Sequence, residues 1–351
     1  MRKLLTTALV GALLIGAAAC SADQPAPRAG SSATPKPKPS SPAPPPDITL
    51  EFAGDVHFAG RTLKLLDEPD TAFGPIADTL SGADVTVANL ETSVTERGTP
   101  EPKQFHFRAP ASAYQAVKAA GIDVVSLANN HAMDYGRDGL DDTLHNASDA
   151  GVPVVGAGKD ADAAYAPWVT TVKGVKIAVL GLSQISELSE RWAAGDGRSG
   201  VAMGHDLRRA AQAVKDAKAK ADVVIAFMHW GQEGNHCPTD RMKSLAKALA
   251  DAGATAVIGT HAHLLLGDGW LGSTYVSYGL GNFLWWLDDA YSNDTGVVRL
   301  TLHGRTLTST EFVPAHISAT GQPLPAEGDE ATRISDKFAG LHACSGLADH
   351  A

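Results

Sequence analysis

The stretch Ile122-Asp-Val-Val-Ser-Leu-Ala-Asn-Asn-His131 joins a β-branched run directly to three polar side chains. Val124 and Val125 suit a pleated, half-buried strand, which leaves Asn129, Asn130 and His131 where that strand stops and a loop begins. The same junction recurs along the chain. Residues 48–53 (ITLEFA) lead into Gly54-Asp55-Val-His57, residues 84–88 into Asn89-Leu-Glu91, residues 222–228 into His229-Trp-Gly231, and residues 255–258 into Gly259-Thr-His261-Ala-His263. Arg108 and Asn282 fall on neighbouring segments. Open α/β sheets bind ligands where parallel strands end, so these polar groups are expected to converge there, in the layout of a two-metal hydrolase site.

Between these junctions lie helix candidates at residues 74–81, 111–120, 137–150, 206–221 and 239–252. Three of them stop at Ala120-Gly121, Ala150-Gly151 and Ala252-Gly253. Glycine takes the left-handed conformation at a helix end without steric penalty, so each stop feeds the next strand. Strand and helix in alternation predict an α/β fold with right-handed crossovers. The later part changes character: residues 273–277, 296–303 and 306–314 read as strands with short connections and suggest a second, more antiparallel sheet.

With 351 residues, 44% of them apolar, the chain can bury the core of an enzyme-sized domain. Its net charge of −10 argues against nucleic-acid binding. Residues 1–20 read as an address. Arg2-Lys3 form a basic start, Leu4 to Leu14 an apolar stretch, and small residues precede Cys20, the pattern of a bacterial lipoprotein signal acylated at that cysteine. Residues 21–47, rich in Pro, Ala and Ser, form a disordered linker that would hold residues 48–316 away from a membrane. Residues 317–351 are expected to pack on that domain as a tail. The expected location is the extracytoplasmic face of the cell membrane, through an N-terminal lipid anchor. In that oxidising compartment Cys237 and Cys344, left over after processing, are expected to pair.

Asp55 and His57 can turn toward one ion once the strand has ended. A carboxylate beside an imidazole suits zinc, manganese or iron. His261 and His263 project together from the end of a buried strand, and His229 ends another. Arg108 offers a planar fork for an anion. Trp285 and Trp286 read as one buried ring and one ring shielding an edge.

The ordered series Gly-Asp55-Val-His57, Asn89-Leu-Glu91-Thr, Phe105-His-Phe-Arg108-Ala-Pro, Asn129-Asn130-His131-Ala-Met-Asp134-Tyr-Gly, His229-Trp-Gly-Gln-Glu, Gly-Thr-His261-Ala-His263 and Tyr278-Gly-Leu-Gly-Asn282-Phe resembles the CapA family of poly-γ-glutamate capsule synthesis proteins. That family is similar in turn to calcineurin-like metallophosphoesterases. The resemblance implies a four-layer sandwich, two β-sheets flanked by helices. It implies two divalent ions (Mn, Zn or Fe), one held by Asp55, His57 and His263 and the other by Asn130, His229 and His261. His131 would be the non-ligand acid, oriented by Asp134. Glu91 is the only acid where the phosphoesterases place a bridging aspartate, and Ala88-Asn-Leu-Glu91 stands here for their Gly-Asp-x-x-Asp. Arg108 and Asn282 would contact substrate. The implied role is synthesis, export or anchoring of poly-γ-glutamate or a related anionic envelope polymer, whose precursor and synthase subunits would be partners. A general extracytoplasmic metal-dependent phosphoesterase and a non-catalytic polymer-binding scaffold are the alternatives.

Overall fold

A computed structural model describes residues 45–351; the expected signal, Cys20 and most of the linker lie outside them. Two sheets dominate. The first runs in the order Pro323–Pro325, Thr306–Ile317, Asp294–His303, Asp47–Val56, Val85–Leu90, Val124–Ser126, Val154–Val155, with Asn282–Leu284 also beside Asp47–Val56. The second runs Leu265–Leu271, Thr274–Leu280, Ala256–Thr260, Val223–His229, Val175–Ser183, Trp168–Val172.

The inner faces of the sheets meet in one apolar layer. Leu50, Phe52 and Val87 of the first sheet pack with Ile177, Ile225 and Phe227 of the second. Each outer face is covered by helices. Tyr114 and Val117 of Ser112–Ala119 and Leu140 of Gly136–Ala150 cover the first sheet. Val214 of Leu207–Lys218 and Leu245 and Leu249 of Asp240–Asp251 cover the second. Because both faces of each sheet are buried, its central strands read as near-continuous apolar runs. The result is the four-layer α/β sandwich expected. The glycines that end three helices, Gly121, Gly151 and Gly253, all have positive φ, at 80°, 68° and 102°.

The late strands correct one expectation. They build no sheet of their own. Thr274–Leu280 runs parallel to Ala256–Thr260 inside the second sheet, whereas Asp294–His303 lies antiparallel to Asp47–Val56 and extends the first. The hairpin of Asp294–His303 with Thr306–Ile317 thereby covers an edge of Asp47–Val56 that would otherwise present unpaired backbone groups. The C-terminal helix Gly328–Gly340 then packs Ile334 and Phe338 into the layer between the sheets, with Phe338 stacked on Phe312 at 4.0 Å. A disulfide joins Cys237 to Cys344, across 107 residues and a Cα separation of 5.7 Å.

Candidate metal centre

Asp55 sits at the end of its strand after a register shift between Phe52 and Asp55. A bulge of this kind bends a strand and re-aims the side chain that follows. The bend brings Gly54 against the backbone of Gly281, where an added Cβ would stand 2.1 Å from the carbonyl oxygen, so no other residue fits. Asp55 then lies in register with Asn89 on one side and Asn282 on the other. Asn89 Nδ2 donates to Asp55 Oδ1 at 2.7 Å, and the backbone N–H of His261 donates to Oδ2 at 3.0 Å. Both oxygens are fixed before any ligand arrives.

His261 and His263 owe their convergence to an uncommon backbone. Their φ angles are 91° and 58°, a region that costs a residue with a Cβ on the order of 1–3 kcal/mol and persists only where its surroundings enforce it. The His261 amide bond to Asp55 is one such constraint. Another is the N–H of Gly234, which donates to the carbonyl of Ala262 at 3.0 Å. The intervening Ala262 is buried, and the rings of His261 and His263 stand 5.8 Å apart.

Glu91 is the hub of the cluster. Asp55, Glu91 and His229 each bring a ligand-type atom within 4.8 Å of the others, and so do Glu91, His261 and His263. His57 Nε2 stands 3.0 Å from Glu91 Oε2, and His229 Nε2 stands 3.2 Å from Oε1. Burial works to raise the Glu91 pKa, but His229 and His57 outweigh it and hold the carboxyl well below the usual range. Glu91 is therefore the member common to both sets, which cut across the three-plus-three division of ligands that the resemblance implies.

The donor set fits divalent cations. Thr260 Oγ1 donates to the carbonyl of Met228 at 3.0 Å and lies 2.9 Å from His229 Nδ1, which the Asn89 amide nitrogen also approaches at 3.2 Å. His229 Nε2 faces Glu91 Oε1 at 3.2 Å, Asn130 Oδ1 at 2.7 Å and His261 Nδ1 at 3.0 Å, three ligand-type atoms around one buried nitrogen. His57 is wholly buried, yet neither of its ring nitrogens makes a hydrogen bond of acceptable geometry, and Glu91 Oε1 likewise has none. Orphaned buried polar groups are destabilising by about 1–3 kcal/mol each, and a metal bond satisfies them. Imidazole and carboxylate together suit zinc, manganese or iron.

Burial and neighbouring charges together set the protonation of the histidines. Desolvation, then the neighbours His229 and His263, drive the His261 pKa well below its ordinary value. For His263 burial also disfavours charge, but the bond to Asp55 and the charges of Glu91, Asp55 and Glu233 prevail and lift it to about 9. Asn282 Oδ1 lies 2.9 Å from His263 Nδ1, and its amide nitrogen is buried and unpartnered.

His131 stands apart from these ligand sets. Its Nδ1 is 2.7 Å from Asp134 Oδ2, and burial, opposed by Asp134, pushes its pKa down to about 4. The ring is neutral at neutral pH, with its proton on Nδ1 facing the carboxylate. The expected acid therefore takes a different form: Nε2 must receive a proton before giving one. Sequence reasoning passed over Lys103, whose almost fully buried ammonium donates to Asp134 Oδ1 at 2.9 Å and to the carbonyl of Asn130. Nothing in Glu101-Pro-Lys103-Gln marks that lysine as internal.

Arg108 does not join the site. Its guanidinium lies 3.5 Å over the ring of Tyr135 and donates to the Arg97 carbonyl at 2.8 Å, which turns the expected anion clamp into a structural stack. Trp285 does join it, with its ring 4.5 Å from both His57 and His263. Beside His131 and His263 opens a cavity of about 280 Å³ that includes Phe107, Asn282, Trp285 and Trp286 in its walls.

The chain is similar to several known proteins. The PGA biosynthesis protein CapA of Bacillus subtilis is 30% identical over 80% of this chain and 74% of its own length. The capsule biosynthesis protein CapA of Bacillus anthracis is 29% identical over 79% of this chain and 69% of its own. Among solved structures, a phosphatase from Mycoplasma pneumoniae aligns with a TM-score of 0.49 and 14% identity, over 77% of this chain and 94% of that one. Residues 49–285, from the strand that carries Asp55 to the first of the paired tryptophans, match the family described as bacterial capsule synthesis protein PGA_cap, and the chain belongs to that family.

Proposed function

We propose that the protein works at the outer face of the bacterial cell membrane in the synthesis, export or anchoring of poly-γ-glutamate or a related anionic envelope polymer, through metal-dependent hydrolysis at the buried cluster. One observation carries the hydrolytic part: the imidazoles of His57 and His229 stand 3.0 and 3.2 Å from the two oxygens of Glu91 in a buried site, and neither His57 nitrogen nor Glu91 Oε1 has a hydrogen-bond partner among the described residues. Family membership supports the polymer.

Divalent ions held there would activate a water and clamp the attacked group. Asp55, His57, Glu91, Asn130, His229, His261 and His263 are the residues that would hold them. The chain's other groups prepare the chemistry. Asn89 and the His261 amide aim Asp55, Asn282 sets the ring of His263, and Trp285 shields His57 and His263 from water. Asp134 keeps the proton of His131 on Nδ1, so Nε2 is free to take a proton and return it to a leaving oxygen.

Among the described residues no helix is long and apolar enough to cross a membrane. Attachment would rest on an acylated Cys20, with synthase subunits as neighbours there. Radiolabelled fatty acid should be incorporated, and Cys20→Ala should stop it.

The deciding experiment is elemental analysis of the purified chain, with hydrolysis of a chromogenic phosphodiester measured alongside. One or two divalent ions per chain are expected, and His261→Ala should lose both metal and turnover. Wild-type protein that stays metal-free after reconstitution with manganese, zinc and iron would sink the reading.

A further inference from the structure

The cavity beside the cluster is an odd chamber for a free polyanion. Among the described residues no lysine or arginine lines it, while the carboxylates of Glu233 and Asp289 do. Its walls are aromatic, with Phe107 and Phe105 at 5.4 and 6.2 Å from the ring of Trp286. Among the described residues six large hydrophobic side chains are exposed, and three of them, Phe105, Leu287 and Tyr291, stand on this one cavity. Apolar side chains scattered singly over a surface mean little, but a cluster rimmed by polar groups marks a binding site.

The chamber is also built in advance. Arg61 donates through Nε to the carbonyl of Trp285 at 3.1 Å, through Nη2 to that of Leu287, and through Nη1 to that of Ala319 at 3.0 Å. The Trp285 amide is bound to the Gly321 carbonyl at 2.9 Å. Tyr291 Oη meets His236 Nε2 at 2.5 Å. A wall held this way pays little ordering entropy when a ligand enters.

A polyanion would find His263 alone among the described lining residues to meet its charges and would be repelled by two carboxylates, whereas an apolar group would gain from every ring it covers. We propose that the molecule acted on at the cluster carries an uncharged apolar substituent that occupies this cavity, so that the ligand is an amphiphile with one oxyanion head and not a stretch of free polymer. The inference rests on the reading of the cluster as a metal site that holds an oxyanion.

Calorimetric titration of manganese-loaded protein separates the two. The probes are methylphosphonate, phenylphosphonate and a γ-linked glutamate oligomer. Phenylphosphonate should bind about 10- to 100-fold tighter than methylphosphonate, from the apolar area it buries, and tighter than the oligomer. Trp286→Ala should narrow that gap, and Leu287→Ser, a change at an exposed position, should narrow it without risk to folding. Equal affinity for the two phosphonates, an oligomer that outcompetes phenylphosphonate, or a gap untouched in both variants overturns the inference while sparing the oxyanion site. Failure of every phosphonate to bind protein of verified metal content overturns both.

Discussion

Nδ1 of His131 lies 2.7 Å from Oδ2 of Asp134, whose other oxygen receives the buried ammonium of Lys103 at 2.9 Å. The carboxylate is thus clamped from both sides and fixes which ring nitrogen carries the proton. Replacing His131 with Ala should leave metal content nearly intact while slowing turnover about 10²- to 10⁴-fold, the usual worth of general acid–base catalysis. Asp134→Asn should give a milder loss. Metal loss in His131→Ala would overturn the assignment of that ring as a non-ligand.

Glu91 belongs to both ligand sets, so its charge should matter more than that of any single histidine. Ligand that binds only the folded chain stabilises it by about 2.7 kcal/mol at a concentration 100 times its Kd. Added manganese should therefore raise the melting temperature of the wild type and leave that of Glu91→Gln in place. Equal metal-induced shifts in the two proteins would remove Glu91 from its central position.

The bridge between Cys237 and Cys344 closes a loop over 107 residues. Loops of this size lose enough unfolded-state entropy for a stabilisation of up to about 4.7 kcal/mol, with 2–4 kcal/mol more typical. Denaturant titration of the Cys237→Ser, Cys344→Ser double variant should show a loss in that range, and alkylation of the unreduced, denatured wild type should find neither thiol. Two free thiols would refute the pairing.

Asp294 receives Arg333 at 2.7 and 2.9 Å and Lys337 at 2.7 Å, both from the C-terminal helix. Burial works to raise its pKa, but those cations prevail and lower it. The sign follows from linkage: a group whose folded pKa is depressed contributes stability that is full above its unfolded value near 3.9 and fades as pH falls through the folded value. Protection of the amides of Gly328–Gly340 against hydrogen exchange, relative to the intrinsic rate at each pH, should fall below about pH 4 ahead of that of the central strands. In Asp294→Asn it should already be low at neutral pH. Protection that is independent of pH in the wild type and unchanged in the variant would show that the helix is held by Ile334 and Phe338 alone.

What could be read from sequence was whatever the chain writes locally. A β-branched run that ends in Asp55, Glu91, His229 or His261 places its polar residue at a strand end, and an Ala-Gly step stops a helix, whatever the rest of the fold does. The same holds for the two sheets flanked by helices once the family motifs are added. What depends on distant partners was not legible. The strand pairing of Asp294–His303 is chosen by an open edge almost 250 residues earlier in the chain, and Arg108 is captured by Tyr135 from beyond an intervening helix and strand. Lys103 is internal only because Asp134, Asn130 and Glu187 gather around it. The chamber beside Trp286 arises where residues from about 105, 233 and 287 meet, which no local stretch encodes.

The same disulfide sorts the site into two covalent compartments. His261, His263, Asn282 and the paired tryptophans lie inside the ring of chain that Cys237 and Cys344 close, while Asp55, His57, Glu91, His131 and His229 lie before it. Residues 287–291 are exposed on the rim of the cavity, within reach of an added protease. A cut there would divide the chain yet release neither piece, because the bond at Cys344 still ties the downstream fragment to the strand end that bears His229. The nicked protein would run as one band until reduced, and every residue proposed to hold metal would stay on its upstream piece.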